Sequence, residues 1–402
     1  MHDPTGDSTR ESANDTKQLE SLIRDLTGER ISRRRFLQRA ATLGLSASAA
    51  GVVLAACGGT KGETTGGPAG SAPPLDTTPP KRLNLYTWAD YTPPSVVKKF
   101  EKKYGVKVDI SFFDDNEMLL SKLKAGARGY DVIVPSDYMV HILAKTGLLE
   151  PLHMDLIPNF AGVAEQFKKP SYDNLVESGG KKFSVPYDWG TTGIGHRKDI
   201  VTDAITKWAD LWNPKYKGKI NMLNDEREVL MSALLMLGYN ENCTDQAQLD
   251  EATQKLIDQK PLVQAYDSIN MKRAVLTGVP LVQGWDGWLL MALPNLGSKR
   301  LEYVLPLEGY NLYHDTFAIP VGAPSPYAAH LWMNFMLDPK ISAETINWTW
   351  YHTPVPAAKR WIGKIVLAFE PDDVALQRAQ QEEDLGAFAR QWTLAWEKIK
   401  SA

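Results

Sequence analysis

Cysteine is scarce in this chain of 402 residues, and neither sign of charge dominates it. With 2 cysteines, Cys57 and Cys243, the chain is not a small scaffold held together by several disulfides. The 45 basic side chains are balanced by 48 acidic ones, which gives a formal net charge of −3. Because nucleic-acid binders usually present a strongly basic face, we expect no nucleic acid as a partner. The length predicts about two domains, each with its own hydrophobic core.

Sequence motifs for catalysis are also missing. The chain has no His-Glu-x-x-His, no Gly-x-Ser-x-Gly, no Walker phosphate loop and no Cys-x-x-Cys, and its 7 histidines show no metal-ligand spacing. The segment 193–195 (Gly-Ile-Gly) lacks the third glycine of a dinucleotide-binding fingerprint, so we predict a tight turn there. Catalytic triads assemble from distant positions in a sequence, so the missing motifs do not exclude an enzyme. We predict no catalytic residue, no metal site and no cofactor.

The amino-terminal region has the composition of an export signal. Three arginines at 33–35 precede an uncharged run, 40–56, that is rich in Ala, Gly and Ser. A transmembrane helix is the alternative, but the run is short for one and not strongly apolar. The paired arginines resemble a twin-arginine signal. We therefore predict that residues 1–56 are a twin-arginine-type signal peptide of a lipoprotein.

A lipidation site is predicted at the end of this signal. The segment 54–57 (Leu-Ala-Ala-Cys) resembles a lipobox, which would leave Cys57 as the lipidated mature amino terminus. Residues 57–81 are rich in Gly, Pro and Thr, and this composition predicts a flexible tether. Cys243 then has no partner in its own chain, and we predict a small buried residue rather than a nucleophile.

Beyond the tether, strand and helix patterns alternate. Pro93 and Pro94 open a helix that Gly105 ends, and Asn116 is the predicted cap of the next helix. Strands are predicted over 83–88, 106–112, 131–134, 183–186, 219–223 and 279–283. Helices are predicted over 93–104, 116–125, 136–145, 203–211, 226–237 and 250–257. This alternation predicts an α/β fold with mostly parallel sheets, in which ligands bind beyond the carboxyl ends of the strands.

An aromatic residue stands beside a carboxylate at five places. Aromatic rings attract cations through their quadrupole, and carboxylates are charge-assisted acceptors for ammonium groups. Rings would contact the methylenes, and carboxylates the nitrogens, of a flexible polycation. The alternative is that each ring belongs to the core and each acid caps a helix. We predict that all five clusters lie near strand ends or their loops: 88–91, 137–138, 187–189, 285–286 and 313–315.

From about residue 83 to residue 400 the sequence resembles the spermidine/putrescine-binding proteins, the extracytoplasmic solute receptors of polyamine ABC transporters. The resemblance is carried by 85–94 (LYTWADYTPP), 130–138 (YDVIVPSDY), 208–218 (WADLWNPKYKG), 225–229 (DEREV) and 317–320 (FAIP). It implies a two-lobed α/β fold of the periplasmic-binding-protein type, with a mostly parallel sheet flanked by helices in each lobe and a ligand cleft at the hinge. The implied lobes are 82–185 plus 314–359, and 186–313 plus 360–402.

The resemblance also implies the ligand contacts. The rings that would contact the polyamine are Trp88, Tyr91, Tyr138, Trp285, Tyr313 and Tyr351. The acids that would bind its amines are Asp315 and the pair Asp225 and Glu228, which are three residues apart at a helix start. Small polar contacts would come from Ser136 and Ser268, although a plain turn serine is an equal alternative for Ser268.

Some positions depart from the family pattern or stay open. Tyr313 stands where the family commonly has Trp, two residues before the aspartate. The family's distal glutamine has no single counterpart, because three residues fall near its place: Glu382, Glu383 and Gln391. Ligand length therefore stays open. Further acids that lie near the cleft, or else cap a helix or face solvent, are Asp90, Asp137 and Asp188. Of these three, Asp90 is counted among the predicted ligand contacts.

As a whole, the sequence predicts a monomeric, lipid-anchored receptor outside the cell membrane. It would capture spermidine or putrescine and deliver it to the permease subunits of an ABC transporter, without performing chemistry. One alternative is a receptor for a quaternary ammonium or other cationic solute, with the rings as a cage. Another is an extracytoplasmic enzyme that uses Asp225 with Glu228, or Asp315 with Asp286, as an acid/base pair. A third is a scaffold that kept the fold but binds no small molecule.

Overall fold

The computed structural model describes residues 76–78, 80–173 and 180–402 of the chain. The predicted signal peptide, the lipobox with Cys57 and most of the predicted tether lie outside these residues. By their contacts, the described residues belong to one compact unit that runs from Pro74 to Ala402. Within the described ranges, no helix is both long enough and apolar enough to cross a membrane.

The described strands pair into one continuous sheet. They are β1 (Arg82–Thr87), β2 (Lys107–Phe112), β3 (Val132–Ile133), β4 (Ser184–Arg197), β5 (Ile220–Met222), β6 (Val263–Tyr266), β7 (Leu281–Trp285), β8 (Leu301–Val304), β9 (Tyr310–Ala318) and β10 (Ala379–Gln380). Their order across the sheet is β2-β1-β3-β9-β4-β7-β5-β6, while β8 pairs with β4 and β10 with β9.

Helices lie between the strands along the chain. The α-helices are α1 (Pro94–Tyr104), α2 (Asn116–Lys124), α3 (Asp137–Lys145), α4 (Glu226–Met236), α5 (Gln246–Gln259), α6 (Met271–Thr277), α7 (Asp286–Leu290), α8 (Leu293–Leu296), α9 (Pro326–Met336), α10 (Pro339–Thr349), α11 (Lys364–Leu367), α12 (Asp373–Leu376) and α13 (Ala389–Ser401). Short 3₁₀ helices cover Met154–Leu156, Pro158–Gly162, Glu165–Phe167, Ser171–Asp173, Trp208–Trp212, Pro214–Tyr216, Lys260–Leu262, Pro356–Trp361 and Gly386–Phe388.

The long strand β4 joins the two ends of the sheet. Its first half pairs antiparallel with β9, and its second half pairs antiparallel with β7 and β8. At the two ends the pairing is parallel: β1 with β2 and β3, and β5 with β6 and β7. Every residue of β4 is buried. The alternating pattern therefore predicts the parallel ends correctly, but it does not predict the antiparallel centre.

Helix α1 begins and ends where the sequence predicts. Pro94 is its first residue, where a missing backbone N–H leaves no hydrogen bond unmade. Gly105 follows its last residue with a φ of 70°, a left-handed conformation that glycine adopts without a steric clash. Val96 and Phe100 are four residues apart and buried, so they form the inner face of the helix.

The cap of α2 is Asp115, and the prediction of Asn116 is wrong by one position. The Asp115 carboxylate accepts a hydrogen bond from the backbone N–H of Met118 at 2.6 Å, which is the geometry of an N-cap. Asn116 is the first helical residue, and its amide nitrogen donates to Oγ of Ser136 at 3.1 Å. The shift by one residue therefore leaves the Asn116 side chain free for a tertiary contact.

The helix predicted over 203–211 is also wrong. The segment is irregular and ends in the 3₁₀ helix Trp208–Trp212. The Asp210 carboxylate accepts hydrogen bonds from the backbone N–H groups of Thr206 and Lys207, at 2.7 and 3.0 Å. Bonds of this local kind compete with the hydrogen bonds of an α-helix.

The Gly-Ile-Gly segment 193–195 lies inside β4 and is not the predicted turn. A Cβ atom on Gly193 would lie 2.8 Å from the ring of Tyr303, a residue of the neighbouring strand β8. Glycine is needed here because two strands approach closely, and not because the backbone turns. A sequence pattern of glycines does not distinguish these two causes.

Three clusters of buried apolar side chains form the core. One packs around β1, α1, α9 and α10, the second around β5, β7, α4, α5 and α13, and a smaller third around α2 and α3. Trp285, Trp288 and Trp350 pack against both large clusters. Cys243 is buried in the second cluster, as predicted. The tryptophans at the contact between the two large clusters mark the place where a cavity is found.

Candidate functional site

A cavity lies beside the carboxyl ends of β1 and β7 and the middle of β9. Its empty volume, including the open mouth, is about 490 Å³. Among the described residues that line it, four are carboxylic acids and none is basic. The lining residues are Trp88, Tyr91, Asn116, Ser136, Tyr138, Asp225, Glu228, Trp285, Trp288, Asn311, Tyr313, Asp315, Tyr351 and Glu382. The wall therefore combines aromatic surface with acceptors of hydrogen bonds.

Three tryptophans form a connected aromatic part of the wall. The ring centroids of Trp88 and Trp285 are 6.1 Å apart, and those of Trp285 and Trp288 are 6.0 Å apart, both with edge-to-face orientation. The indole nitrogen of Trp88 donates to the backbone carbonyl of Val134 at 2.9 Å. These contacts hold the rings in position before any ligand binds.

Glu228 is an acid of the wall with one oxygen satisfied and one free. Its Oε1 accepts three hydrogen bonds, from Thr192 Oγ1 at 2.8 Å, Trp285 Nε1 at 3.0 Å and Asn311 Nδ2 at 3.2 Å. Its buried Oε2 has no hydrogen-bond partner among the described residues, and the same holds for Oδ1 of Asn311. Burial, and secondly the charge of Asp225, raises the pKa of Glu228 to about 7. The wall thus contains buried acceptors that a donor can still satisfy.

Asp225 is both the cap of α4 and part of the wall. Its Oδ1 accepts hydrogen bonds from the backbone N–H groups of Arg227 at 2.9 Å and Glu228 at 3.1 Å. Burial raises the pKa of Asp225 to about 6. The cap fixes the start of the helix, and so it also fixes the direction from which Glu228 enters the cavity.

Asp315, in the middle of β9, is the acid at another part of the wall. Its Oδ1 accepts a hydrogen bond from Ser136 Oγ at 2.6 Å, and its Oδ2 contacts the hydroxyl of Tyr91. Burial raises the pKa of Asp315 to about 6. The same Tyr91 hydroxyl lies 2.7 Å from Oδ1 of Asp188, which is buried behind the wall. Asp188 and Asp315 are direct neighbours in the pairing of β4 with β9.

The basic side chain Arg227 lies behind the wall and is engaged by other groups. Its guanidinium lies 4.9 Å from the ring centroid of Tyr138 and donates to Oδ1 of Asn242 at 2.9 Å. Its Nε is 3.9 Å from Oε1 of the wall residue Glu382. Burial raises the pKa of Glu382 well above its usual range, although the charge of Arg227 acts in the opposite direction. Arg227 therefore lies close to an acid of the wall without lining the cavity itself.

Two more acids are paired with histidines beside the cavity and do not line it. Asp286 Oδ2 lies 3.0 Å from Nε2 of His352, and Asp137 Oδ2 lies 3.1 Å from Nδ1 of His314. Because Asp286 does not line the cavity, the geometry does not support the alternative in which it acts as the acid/base partner of Asp315.

Ten of the twelve residues predicted to contact a ligand do line the cavity. They are Trp88, Tyr91, Ser136, Tyr138, Asp225, Glu228, Trp285, Tyr313, Asp315 and Tyr351. Asp90 is exposed instead, in a left-handed conformation with a φ of 54°, and its backbone carbonyl accepts a hydrogen bond from Trp348. Ser268 does not line the cavity, and its Oγ accepts a hydrogen bond from the backbone N–H of Asn224 at 2.9 Å.

Two of the five aromatic–acid clusters lie within strands and not near strand ends. Residues 187–189 belong to β4, and residues 313–315 belong to β9. The sequence does not predict either strand at full length, because polar residues interrupt the apolar pattern. Asp188 of β4 and Asp315 of β9 are direct partners in the register of the two strands, and this pairing brings them side by side.

The sequence alone misses several lining residues. Asn311 lies two and four residues before Tyr313 and Asp315, so the alternation of a strand places the three on one face of β9. Predicting β9 would therefore have found it. Trp288 follows Trp285 by three residues, and no signal in the sequence marks Asn116. Of the three candidates for the distal position, Glu382 lines the cavity.

Metal binding finds no support in the described ranges. Within residues 76–78, 80–173 and 180–402, no group of three or more His, Cys, Asp or Glu side chains is arranged to hold a metal ion.

Comparisons with known proteins agree with this architecture. Residues 95–365 match the family of bacterial extracellular solute-binding proteins. The spermidine/putrescine-binding periplasmic protein of Salmonella typhimurium is 33% identical over 326 residues, which cover 79% of this chain and 91% of that protein. The spermidine/putrescine ABC transporter substrate-binding protein of Streptococcus pneumoniae has a TM-score of 0.67 at 30% identity, over 80% of this chain and 99% of that one.

A third comparison adds a lipoprotein. A lipoprotein of Treponema pallidum has a TM-score of 0.71 at 29% identity, over 79% of this chain and 99% of that one. The predicted fold class is confirmed by these structures, which share the mixed α/β fold of periplasmic binding proteins. The enzyme alternative is not supported, because the relatives are binding proteins. The chain belongs to the spermidine/putrescine-binding protein family, the non-enzymatic extracytoplasmic solute-binding proteins of ABC transporters.

Proposed function

We propose that the protein binds a polyamine, spermidine or putrescine, in the cavity and delivers it to the permease subunits of its ABC transporter. The observation that carries this proposal is the wall itself, in which four acids and no basic residue alternate with aromatic rings among the described lining residues. A polyamine alternates ammonium groups with methylenes. Its chemistry is therefore complementary to both components of the wall.

The free acceptors support a ligand that carries N–H donors. Oε2 of Glu228 and Oδ1 of Asn311 are buried without partners. A buried polar atom without a hydrogen bond costs about 1 to 3 kcal/mol, and the N–H donors of a polyamine can relieve this cost. A quaternary ammonium has no N–H to donate, and choline has a single O–H, so such a ligand would contact the rings but leave at least one of these oxygens unsatisfied. We therefore prefer a polyamine to the quaternary ammonium alternative.

The acids belong to separate elements of the wall, and this placement supports a ligand with more than one charge. Asp225 and Glu228 belong to the start of α4, whereas Asp315 belongs to β9. Trp285 is the ring that donates to Glu228, so it stands at the same part of the wall as the first group. One amine would pair with the α4 acids and another with Asp315, while the rings contact the methylenes between them.

The lipid anchor and the lobe boundaries are further parts of the proposal. Cys57 would carry the lipid after removal of residues 1–56, and the tether 57–81 would hold the receptor near the membrane as a monomer. The lipobox sequence and the existence of a structurally similar lipoprotein in Treponema pallidum support this arrangement. The two lobes would be 82–185 plus 314–359, and 186–313 plus 360–402.

Calorimetric titration of the purified protein tests the ligand. We expect saturable binding of spermidine or putrescine. Choline should bind at least about 100-fold more weakly, because an unsatisfied buried acceptor costs about 1 to 3 kcal/mol, and about 2.7 kcal/mol corresponds to that factor. Glu228→Gln should weaken polyamine binding, because the amide is uncharged and donates where the ligand donates. Equal binding of choline and spermidine would favour the quaternary ammonium receptor, and no binding of either would favour the scaffold.

Metabolic labelling with a fatty acid tests the anchor. The wild-type protein should incorporate the label and sediment with membranes. Cys57→Ala should do neither. Label on the Cys57→Ala variant would contradict this lipidation site, while Cys243→Ala is the matched control because that buried cysteine lies in the core.

A further inference from the structure

One tyrosine hydroxyl lies between two buried carboxyl groups. The Tyr91 hydroxyl is 2.7 Å from Oδ1 of Asp188 and also contacts Oδ2 of Asp315. All three residues are buried, with exposed fractions of 2%, 1% and 5% for Tyr91, Asp188 and Asp315. Asp188 does not line the cavity, and neither the family pattern nor the proposed ligand contacts give it a role.

The number of hydrogen atoms needed for the two contacts of Tyr91 shows that one of the two carboxyl groups is protonated. A phenol has a single O–H and donates one hydrogen bond, whereas an ionised carboxylate has no hydrogen and only accepts. Two ionised carboxylates around Tyr91 would leave one of the two contacts without a hydrogen and would place two negative charges side by side in the core. One of the carboxyl groups must therefore carry a proton and donate a hydrogen bond to the tyrosine oxygen.

The partners of the two acids indicate which one is protonated. Asp315 accepts a further hydrogen bond from Ser136 at 2.6 Å. Each hydrogen bond that a carboxylate accepts stabilises its ionised form. Oδ2 of Asp188 has no hydrogen-bond partner among the described residues. An unpartnered carbonyl oxygen of a neutral acid costs much less than an unpartnered oxygen of a buried anion.

The surroundings of Asp188 also favour its protonated form. The titratable groups that interact with it are Asp315 on β9, Asp286 at the start of α7, and the phenols of Tyr91, Tyr187, Tyr313 and Tyr351. Burial, and secondly the charge of Asp315, raises the pKa of Asp188 well above its usual range, whereas at Asp315 hydrogen bonds from both Ser136 and Tyr91 oppose the rise in pKa caused by burial.

We propose that Asp188 is protonated and donates a hydrogen bond to the hydroxyl oxygen of Tyr91, which in turn donates a hydrogen bond to an ionised Asp315. Asp188 is then a positioning residue: it acts through Tyr91 and holds the Asp315 carboxylate in one orientation at the cavity wall. The chain of donors also fixes the Tyr91 ring, which packs edge to face on Tyr351 at 5.5 Å. The consequence for polyamine binding rests on the proposed function, whereas the proton on Asp188 does not.

Infrared spectroscopy tests the proton without any ligand. The difference spectrum between the wild-type protein and Asp188→Asn at neutral pH should contain the carbonyl band of a protonated carboxyl group. Loss of a carboxylate band instead would mean that Asp188 is ionised and would overturn the proposal. Asp315→Asn is the matched control, and its difference spectrum should contain a carboxylate band.

Calorimetry with spermidine tests the positioning role. Asp188→Asn should bind within about threefold of the wild type, because its amide N–H₂ still donates to Tyr91. Asp188→Leu, which cannot donate, should bind about tenfold more weakly, the effect of one neutral hydrogen bond. Thermal unfolding shows whether each variant is folded.

The outcomes separate the two proposals. If Asp188→Asn binds spermidine as weakly as Asp315→Asn, the charge lies on Asp188 and the positioning role is wrong. If the wild type binds no polyamine, the proposed function fails, and the infrared difference still decides whether Asp188 is protonated.

Discussion

The indole nitrogen of Trp285 donates a hydrogen bond of 3.0 Å to Oε1 of Glu228, so a ring and an acid of the same wall hold each other in place. The ring contacts Trp88 and Trp288 on its two sides. A change at Trp285 therefore acts on the apolar surface and on the orientation of the carboxylate at once.

Trp285→Phe separates these two effects. The variant keeps a ring but removes the donor to Glu228, and a hydrogen bond to a charged group is worth about 1.5 to 3 kcal/mol. Spermidine should bind about tenfold more weakly or worse, as measured by calorimetry. Trp361→Phe is the control, because Trp361 is partly exposed and does not line the cavity. Equal affinities of Trp285→Phe and wild type would show that the indole donor is not needed.

Because the pKa of Glu228 is raised in the folded state, the protein should become less stable as the pH rises from about 4.5 to about 7. The pKa of this acid is 4.5 in a free side chain and about 7 in the folded protein. In this window the unfolded chain has released a proton that the folded protein still holds, so rising pH favours unfolding. Glu228→Gln does not titrate and should lack this contribution.

Thermal unfolding at about pH 5 and about pH 8 measures the effect as a difference between wild type and Glu228→Gln. The stability of the wild type relative to the variant should fall with rising pH. Saturating spermidine should offset the fall in the wild type, since it binds the folded state and pairs with the ionised acid. A relative stability that rises with pH would contradict the raised pKa.

Asp225 should contribute separately to stability and to binding. Asp225→Asn keeps a good N-cap but removes the charge, so we expect a nearly unchanged melting temperature and about tenfold weaker spermidine binding. Asp225→Ala loses the cap as well, at about 1 kcal/mol of stability. Thermal unfolding and calorimetry on both variants measure the two effects. Wild-type affinity in Asp225→Asn would remove Asp225 from the ligand contacts.

Asp90 is expected to play no part in binding, contrary to the prediction from sequence. Asp90→Asn should bind spermidine with wild-type affinity, because the residue is exposed and does not line the cavity. Asparagine also tolerates the left-handed backbone at this position. A clear loss of affinity in this variant would return Asp90 to the site.

Gly193→Ala should destabilise the protein by about 1 to 3 kcal/mol, the usual effect of overpacking. Its Cβ would lie 2.8 Å from the ring of Tyr303. Gly162→Ala is the matched control, because a Cβ there has no neighbour within 4 Å. Chemical denaturation of the two variants provides the measurement, and equal stabilities would mean that β4 and β8 can separate without loss.

The sequence predicts the local elements of this fold better than its long-range pairing. Pro94 and Gly105 fix α1 because their backbone preferences act within a few residues. The antiparallel centre of the sheet depends on the pairing of β4 with β9, between residues more than 120 positions apart, such as Ser184 and Ala318. No local preference encodes that contact.

For the site, residue type was informative and secondary structure was not. Trp88, Tyr91 and Asp315 could be selected because rings beside acids suit a cation. Asn311 and Asp188 were missed or left open because their roles follow from strand register, which places them next to chosen residues. The capping role of Asp225 was hidden for a related reason, since a cap and a ligand carboxylate look the same in a sequence.

The absence of a basic side chain among the described residues of the wall has a consequence for the form in which a polyamine can be captured. Outside the cell, polyamines pair readily with phosphates and other polyanions, which neutralise the charges that the four wall acids would recognise. The anion would also meet the four acids of the wall, and no described lining residue is a cation that could replace the polyamine it gives up. The receptor would therefore sample only the unpaired fraction of the polyamine, so that uptake follows the free concentration and not the total.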